Sequence, residues 1–490
     1  MAETKELHNK QLSINWKPDR SSNVPLYSQI VGYFTNRISH GDWISGQSLP
    51  SQRDLSKSFG VNRSTIVAAM EELMAMGLVE SSFGGGTRIA MDSWSLLIQE
   101  KAPNWQDYIM SGAFRHNIPT VQVINHLEFQ EGTIRLSTGE MSPDLVQTEL
   151  VKKVMNSLSQ KELFMNYPDP LGMPSLRRSI QKLLAKRGIN VPLSCILIVS
   201  GAVQALQLIA SGIVRSTSTV YMEAPSYLCS MNIFQSAGAV LSGVPMDKDG
   251  IMPWMIRNQQ RTGPGILYTI PTFQNPTGIV MPESRRKEVL KYCIEHNMPI
   301  IEDDVFCDLW LDNPPPPPLK ALDNSGSVVY IGSTSKSFSP GLRLGWLVGP
   351  ESLVERLADI KMQVDYGVSV LPQQVVTELM EQGLYDQGTE TVRKALRHRR
   401  DFMLKLLEKY FFDIATWEKP TGGFFIWIKL KNQVLAERVF NKALKEKLLV
   451  PPGTIYGSKS VSCLRLTFGY LDADIMEKSM YQLSQVIRSF

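Results

Sequence analysis

The chain has 490 residues, of which 43% are apolar and 20% charged, with a net charge of +4. That usage excludes wholesale disorder, and the length allows about three domains of roughly 150 residues each, or fewer if one is a large α/β unit. The charge is too small to imply a nucleic-acid partner, no apolar run reaches the roughly 18 residues of a membrane span, and the charged start MAETKELHNK leads into no secretory apolar stretch, so a cytoplasmic protein without membrane contact is expected.

The first twenty or so residues are polar. From Pro25 to Ala90 the pattern becomes compact. YSQIVGYFTNRI places Tyr27, Ile30, Val31, Phe34 and Ile38 at helical spacing, and Gly41 and Gly46 break it. Ser51 is placed to cap a second helix carrying Leu55 and Phe59, which Gly60 stops. Asn62 can cap a third, with Ile66, Met70, Leu73 and Met74 on one face and Gly77 at its end. LVESSFGGGTRIA then alternates around three glycines as a β-hairpin would. Residues 91–130 are weakly patterned and read as a linker carrying short helical pieces, which argues for two domains. From 131 onward the β-rich runs CILIVS, TVYMEA, GILYTI, PIIEDD and SVVYIG alternate with helical patterns, calling for a mostly parallel sheet. Prolines 314–318 read as a stiff surface loop. The five cysteines, odd in number, far apart and never in C-x-x-C spacing, argue against a disulfide framework and a cysteine zinc site, and no metal is expected.

A helix, a short turn, a second helix and a Gly-rich hairpin form a winged helix-turn-helix pattern. Such folds send the start of the second helix into the major groove, which here means Asn62, Arg63, Ser64 and Thr65. Arg can donate two bonds to a guanine, Asn can bond adenine, and Ser or Thr can reach phosphate or base. Arg53 could neutralise a phosphate or reach a base edge. Charge adds little, since residues 20–90 hold six Lys/Arg against five Asp/Glu. The ordered motif set P-L-Y, G-x-x-x-x-G-x-x-L-P-S-x-R-x-L and G-V-x-R-x-T resembles the GntR-type winged helix over the whole segment. The resemblance implies DNA contacts by Arg53, Arg63, Ser64 and Thr65 and a wing tip at Gly84–Gly86, with Gly85 at its centre. Ile66 stands where Val is common.

In GSTSKSFSPGLRLGW, Lys336 lies between hydroxyl residues, with Arg343 seven positions on. Ser333, Ser335 and Arg343 could hold a phosphate. An amine beside cations and partly desolvated has a lowered pKa and can form a Schiff base near neutral pH; the alternative is a solvated loop lysine. SGAVQAL follows a strand and opens a helix, so the N–H groups of Gly201, Ala202 and Val203 could hold a phosphate or simply make a turn. Tyr227 in EAPSY could stack on a flat ring or pack. Asn275 in QNPTG could bond a phenolic oxygen or shape its turn. Asp303 in IIEDD can pair with a protonated pyridine nitrogen. Arg465 in SCLRLTFG can clamp an α-carboxylate or be a surface charge.

Residues 131–490 resemble fold type I aminotransferases through Y-P-D-P-x-G-x-P-x-L-R from Tyr167, S-G-A, E-x-P-x-Y, N-P-T-G, E-D-D, S-x-S-K, G-L-R-x-G and L-R-L. The resemblance implies pyridoxal 5'-phosphate, with Lys336 as its Schiff-base lysine, Asp303 at the ring nitrogen, Asn275 at the ring oxygen and Tyr227 stacked on the ring. Ser333, Ser335 and Arg343 would hold the phosphate, Tyr167 would reach the phosphate of a partner subunit, and Arg465 would receive an amino acid's carboxylate. One departure stands out. A tyrosine usually follows the aspartate by two or three residues and bonds the ring oxygen; here Val305 and Phe306 fill those places. Val203 likewise lacks the side-chain donor frequent there, and no second cation near Tyr227 indicates a dicarboxylate ligand.

A GntR-type reader (22–90), a linker (91–130) and an aminotransferase-like domain (131–490) resemble the MocR subfamily of bacterial transcription factors. That resemblance implies a head-to-tail homodimer that binds a double-stranded DNA operator and senses a small amino acid or amine, or pyridoxal phosphate itself. A working aminotransferase with an accessory DNA-binding domain is the alternative, and Phe306 favours the regulator.

Overall fold

The computed structural model describes residues 14, 16–40, 42–43, 46–82, 86–90, 109, 111–112, 114–256 and 264–490. The chain divides into two units, Met1–Gly112 and Ala113–Phe490.

The first unit holds α1 (Leu26–Ser39), α2 (Gln52–Phe59), α3 (Arg63–Ala75) and a hairpin of β1 (Val79–Ser82) and β2 (Gly86–Ile89). Ile30, Val31, Phe34 and Ile38 of α1 are buried as their spacing predicts, whereas Tyr27, in the opening turn, is left exposed. They pack with Leu55, Phe59, Ile66, Met70 and Leu73 into one core. Ser51 caps α2, its hydroxyl accepting the Asp54 N–H at 3.2 Å. Gly60 ends α2 at φ 65°, a left-handed turn that a side chain would strain. Asn62 stands at the cap position of α3, but its side chain makes no capping bond. β1 and β2 pair antiparallel, Val79 opposite Ile89.

The second unit is built on an eight-stranded sheet in the order β4–β11–β10–β9–β8–β5–β6–β7. Its strands are β4 (Ile196–Val199), β5 (Thr219–Ala224), β6 (Val240–Asp247), β7 (Gly250–Ile251), β8 (Gly265–Thr269), β9 (Ile300–Asp303), β10 (Val328–Ser333) and β11 (Gly345–Val348). β10, β9, β8, β5 and β6 run parallel in sequence across the sheet, and β11 runs antiparallel between β4 and β10. The five β-rich runs of the sequence are β4, β5, β8, β9 and β10. β6 and β11 carry Gly243, Pro245 and Gly345, residues that dilute a strand signal. Leu206 and Ile209 of α7 (Ala202–Ile213) and Leu357 of α9 (Glu351–Val364) cover one face. Residues of α6 (Pro174–Lys186), α8 (Glu283–Glu295) and α10 (Val370–Glu381) cover the other, the three-layer arrangement of α/β proteins.

A smaller sheet of β12 (Ala415–Trp417), β13 (Phe425–Leu430) and β15 (Cys463–Thr467) packs on α11 (Leu384–Phe411), α12 (Ala436–Lys445) and α13 (Ala473–Arg488); the short β3 (Ile134–Arg135) pairs with β14 (Leu448–Leu449), and α5 (Thr148–Leu158) packs on α10. Ahead of these elements, α4 (Pro119–Leu127) falls inside the stretch expected as linker, yet Val121 is buried against Ile455 and Tyr456. The second unit therefore begins before residue 131. Two apolar residues facing inward were too few to set a period visible in sequence.

Candidate functional site

The parallel strands of the large sheet end at a cavity of about 630 Å³. Ligands bind there in open α/β folds, because loops diverge beyond the carboxyl ends of the strands. Ala202, Val203, Tyr227, Asn275, Asp303, Ser333, Ser335, Lys336, Arg343 and Arg465 all line it. Tyr167 does not: it is 78% exposed, with its ring 5.0 Å from that of Tyr366.

Asp303 closes β9 and is buried. One carboxylate oxygen accepts the hydroxyl of Tyr268 from β8 at 2.7 Å, while Oδ1 is buried with no partner. Burial raises its pKa to about 6 against the opposing Tyr268 bond. An unpaired buried acceptor is costly, and Asp303 lines the cavity, where a donor on a bound molecule could meet it. Lys336 follows β10, and its Nζ donates to the carbonyl of Gly139 at 2.7 Å. Burial, then the charge of Arg465, lower the amine's pKa to about 8.

The side of the cavity lined by Ser333, Ser335, Arg343 and the start of α7 is polar. Ser333 Oγ donates to Ser335 Oγ and accepts the Ser335 N–H, at 3.0 and 3.1 Å. Arg343 adopts φ 47°, a left-handed conformation that costs a non-glycine residue of order 1 kcal/mol. Its Nη2 donates to Ser200 O at 3.1 Å, beside the start of α7. Gly201 sits at φ 91°, a backbone conformation that favours glycine, and a Cβ there would also press on that nitrogen at 2.8 Å. The first N–H groups of α7 have no acceptor within the helix and open toward the cavity at Ala202 and Val203.

Arg465, on β15, is 6% exposed. It donates to Ser137 Oγ, Ser137 O and Asn275 Oδ1, and lies over the rings of Phe425 and Tyr456. None of its described contacts is an ion pair, and burial lowers its pKa. A buried cation held only by neutral acceptors and ring faces suits an incoming carboxylate. Tyr227, whose hydroxyl burial pushes up to about 12, stays neutral beside it. Phe306 is buried edge-on to Phe424 and Phe425, so no phenol stands at that position. Tyr268, Ser137, Gly139 and Glu128 also shape the site, and no motif singled them out. Tyr268 sits inside an ordinary strand, and the others precede the first motif.

On the first unit, Arg53, Asn62, Arg63 and Ser64 are exposed and Thr65 is half-buried. Arg53 and Arg63 make no ion pair among the described residues, so both guanidinium groups are available. Of the expected wing tip, Gly84 and Gly85 lie outside the described residues and Gly86 opens β2.

Residues 131–479 match the family "Aminotransferase class I and II", and residues 26–89 match "Bacterial regulatory proteins, gntR family". The chain is 44% identical to the "Uncharacterized HTH-type transcriptional regulator YisV" of Bacillus subtilis (strain 168), over 96% of this chain and 98% of the relative. It is 34% identical to the HTH-type transcriptional regulator NorG of Staphylococcus aureus (strain USA300), over 90% and 99%. Among solved structures, the kynurenine aminotransferase of Pyrococcus horikoshii, in complex with PMP, superposes with a TM-score of 0.72 at 28% identity, covering 80% of this chain and 98% of the other. LysN, the alpha-aminoadipate aminotransferase of Thermus thermophilus, complexed with N-(5'-phosphopyridoxyl)-L-leucine, gives 0.72 at 26%, covering 79% and 99%.

Proposed function

This chain belongs to the MocR-type GntR regulators, which join a winged helix to an aminotransferase class I and II domain, and from that premise we propose that it controls transcription by reading an amine-bearing metabolite at the large unit's cavity. The observation that carries the reading is the unpaired Oδ1 of Asp303 in a cavity that also holds Lys336 and an Arg465 without a carboxylate. These groups fit pyridoxal phosphate, which supplies an aldehyde for amines and an electron-withdrawing ring. Asp303 would meet the ring nitrogen, Asn275 the ring oxygen and Tyr227 the ring face. Ser333, Ser335, Arg343 and the start of α7 would hold the phosphate. Lys336 would hold the aldehyde carbon, and Arg465 would take the carboxylate of an amino acid.

The protein acts as a homodimer in this reading, with Tyr167 reaching the partner's phosphate site; its exposure leaves it free to do so. Arg53, Asn62, Arg63, Ser64, Thr65 and the wing around Gly85 contact the operator. Such a regulator works in the bacterial cytoplasm, where the DNA lies, and no described helix is long and apolar enough to cross a membrane. Aminotransferase turnover is the second reading, favoured by the set of ring-contacting residues and opposed by Phe306.

The test is the visible spectrum of the purified protein with pyridoxal phosphate. Lys336→Ala should lose the borohydride-fixable cofactor while operator binding by the first unit persists. Cofactor still fixed to the Lys336→Ala protein would overturn the assignment. Sustained keto-acid release from added amino acids would move the enzyme reading ahead.

A further inference from the structure

Three consecutive residues, Ser137, Thr138 and Gly139, touch three functional groups of the cavity. Ser137 accepts from Arg465 through both its hydroxyl and its carbonyl. Gly139 O accepts from Lys336 Nζ at 2.7 Å. Between them, the Thr138 hydroxyl donates to Glu128 Oε1 at 2.6 Å. Glu128 follows the last turn of α4 and lines the cavity. Its field reaches Arg465, yet it forms no ion pair among the described residues.

The carbon at the centre of an amino acid carries an amine, a carboxylate and a side chain. The proposed function, on which this inference rests, gives the amine to the Lys336 end and the carboxylate to Arg465. We propose that Glu128 is the specificity-determining residue for the third substituent, and that the effector is an amino acid with a basic side chain. Thr138 is its positioning residue. It occupies one carboxylate oxygen, leaves the other free, and sets Glu128 at a fixed offset from both anchors through a single tripeptide.

The other charged lining groups support this choice. Asp303, the only other carboxylate lining the cavity among the described residues, is turned to Tyr268 and the ring site. Arg343 is drawn to Ser200 on the phosphate side. Arg115 lines the cavity too, but it is exposed and held by its backbone N–H on Ser236, so water screens its charge more than that of half-buried Glu128. Val121 on α4 and Ile455 offer apolar surface along which the methylenes of a basic side chain can lie.

The experiment uses full-length protein loaded with pyridoxal phosphate and titrated with matched pairs: L-lysine against L-norleucine, and L-ornithine against L-norvaline. L-2-aminoadipate tests the opposite charge. Dissociation constants come from the visible spectrum and from calorimetry. A charge-assisted bond in a half-buried site should favour one of the basic ligands over its apolar match by about tenfold or more. Glu128→Gln should bring that ratio to near one, and Glu128→Lys should turn preference to 2-aminoadipate. Thr138→Val should shrink the ratio and Thr138→Ser restore it, a pattern that mere loss of packing would not give. Equal or tighter binding of the apolar match, a wild-type preference for 2-aminoadipate, or an unchanged ratio in Glu128→Gln overturns the assignment while amino-acid sensing stands. If no amino acid moves spectrum or heat, the sensing reading itself falls, and this one with it.

Discussion

At the scale of single residues, the site is poised by desolvation. Lys336 must be neutral to attack an aldehyde, and burial together with Arg465 brings its pKa to about 8 from an ordinary value of about 10.4. Below that pKa the neutral fraction rises about tenfold per pH unit, then levels. The rate at which cofactor-free protein captures pyridoxal phosphate should therefore climb up to about pH 8 and flatten above it. Asp303 sets the opposite limb. Its pKa is raised to about 6, so it is ionised above that pH and neutral below. Retention of the cofactor should weaken as the pH falls through about 6, because a protonated carboxyl no longer balances a protonated ring nitrogen. Stopped-flow capture and equilibrium retention across pH 5–10 check both limbs. A capture rate still climbing through pH 10 would mean that the Lys336 amine is not the group described here.

At the scale of elements, α2 and α3 carry the side chains proposed to read DNA. The Ser51 cap and the left-handed Gly60 fix where α2 starts and stops, and so where Arg53 and Arg63 stand relative to one another. Removing a bidentate arginine–guanine contact costs about 1–3 kcal/mol and relaxes sequence preference, whereas losing a phosphate contact weakens all sequences and lowers the salt slope by about one. Arg63→Ala, at the first residue of the recognition helix, should show the first behaviour. Titrations of operator and scrambled DNA at several salt concentrations separate the two. Operator affinity unchanged in both Arg53→Ala and Arg63→Ala at fixed salt would remove the support for α3 as the reading helix.

At the scale of the whole molecule, the proposed dimer would have to match its two readers to half-sites separated by whole helical turns, about 34–36 Å each. A ligand shifts that geometry only as far as it binds one arrangement better, and a preference of about 1.4 kcal/mol gives tenfold. Operators with half-sites moved by half and whole turns should therefore bind with a spacing preference that changes when an effector occupies the cavity. Binding curves with and without the amino acid that alters the spectrum test this. A spacing preference indifferent to that amino acid would separate the cavity from DNA recognition.

The sequence by itself determined the first unit's three helices and hairpin, the mostly parallel sheet and the motif residues that line the cavity. Those features are local: Ile30, Phe34 and Ile38 repeat at helical period, and Lys336, Asp303 and Asn275 each sit in a short motif at a strand end. Tertiary structure alone decided which residues complete the site. Tyr268 reads as one more β residue until β8 lies beside β9 and its hydroxyl meets Asp303. Ser137, Thr138 and Gly139 carry no pattern, and they matter because the chain passes between Arg465, Glu128 and Lys336, the last 197 positions away along the chain from Gly139. A short helical piece was expected around α4, but its place in the second unit was not, for the same reason: its burial depends on Ile455 and Tyr456. Periodicity reports which face of an element is covered. It cannot report which distant residue covers it, because that is fixed only when the strands are ordered and the loops at their ends close on one cavity.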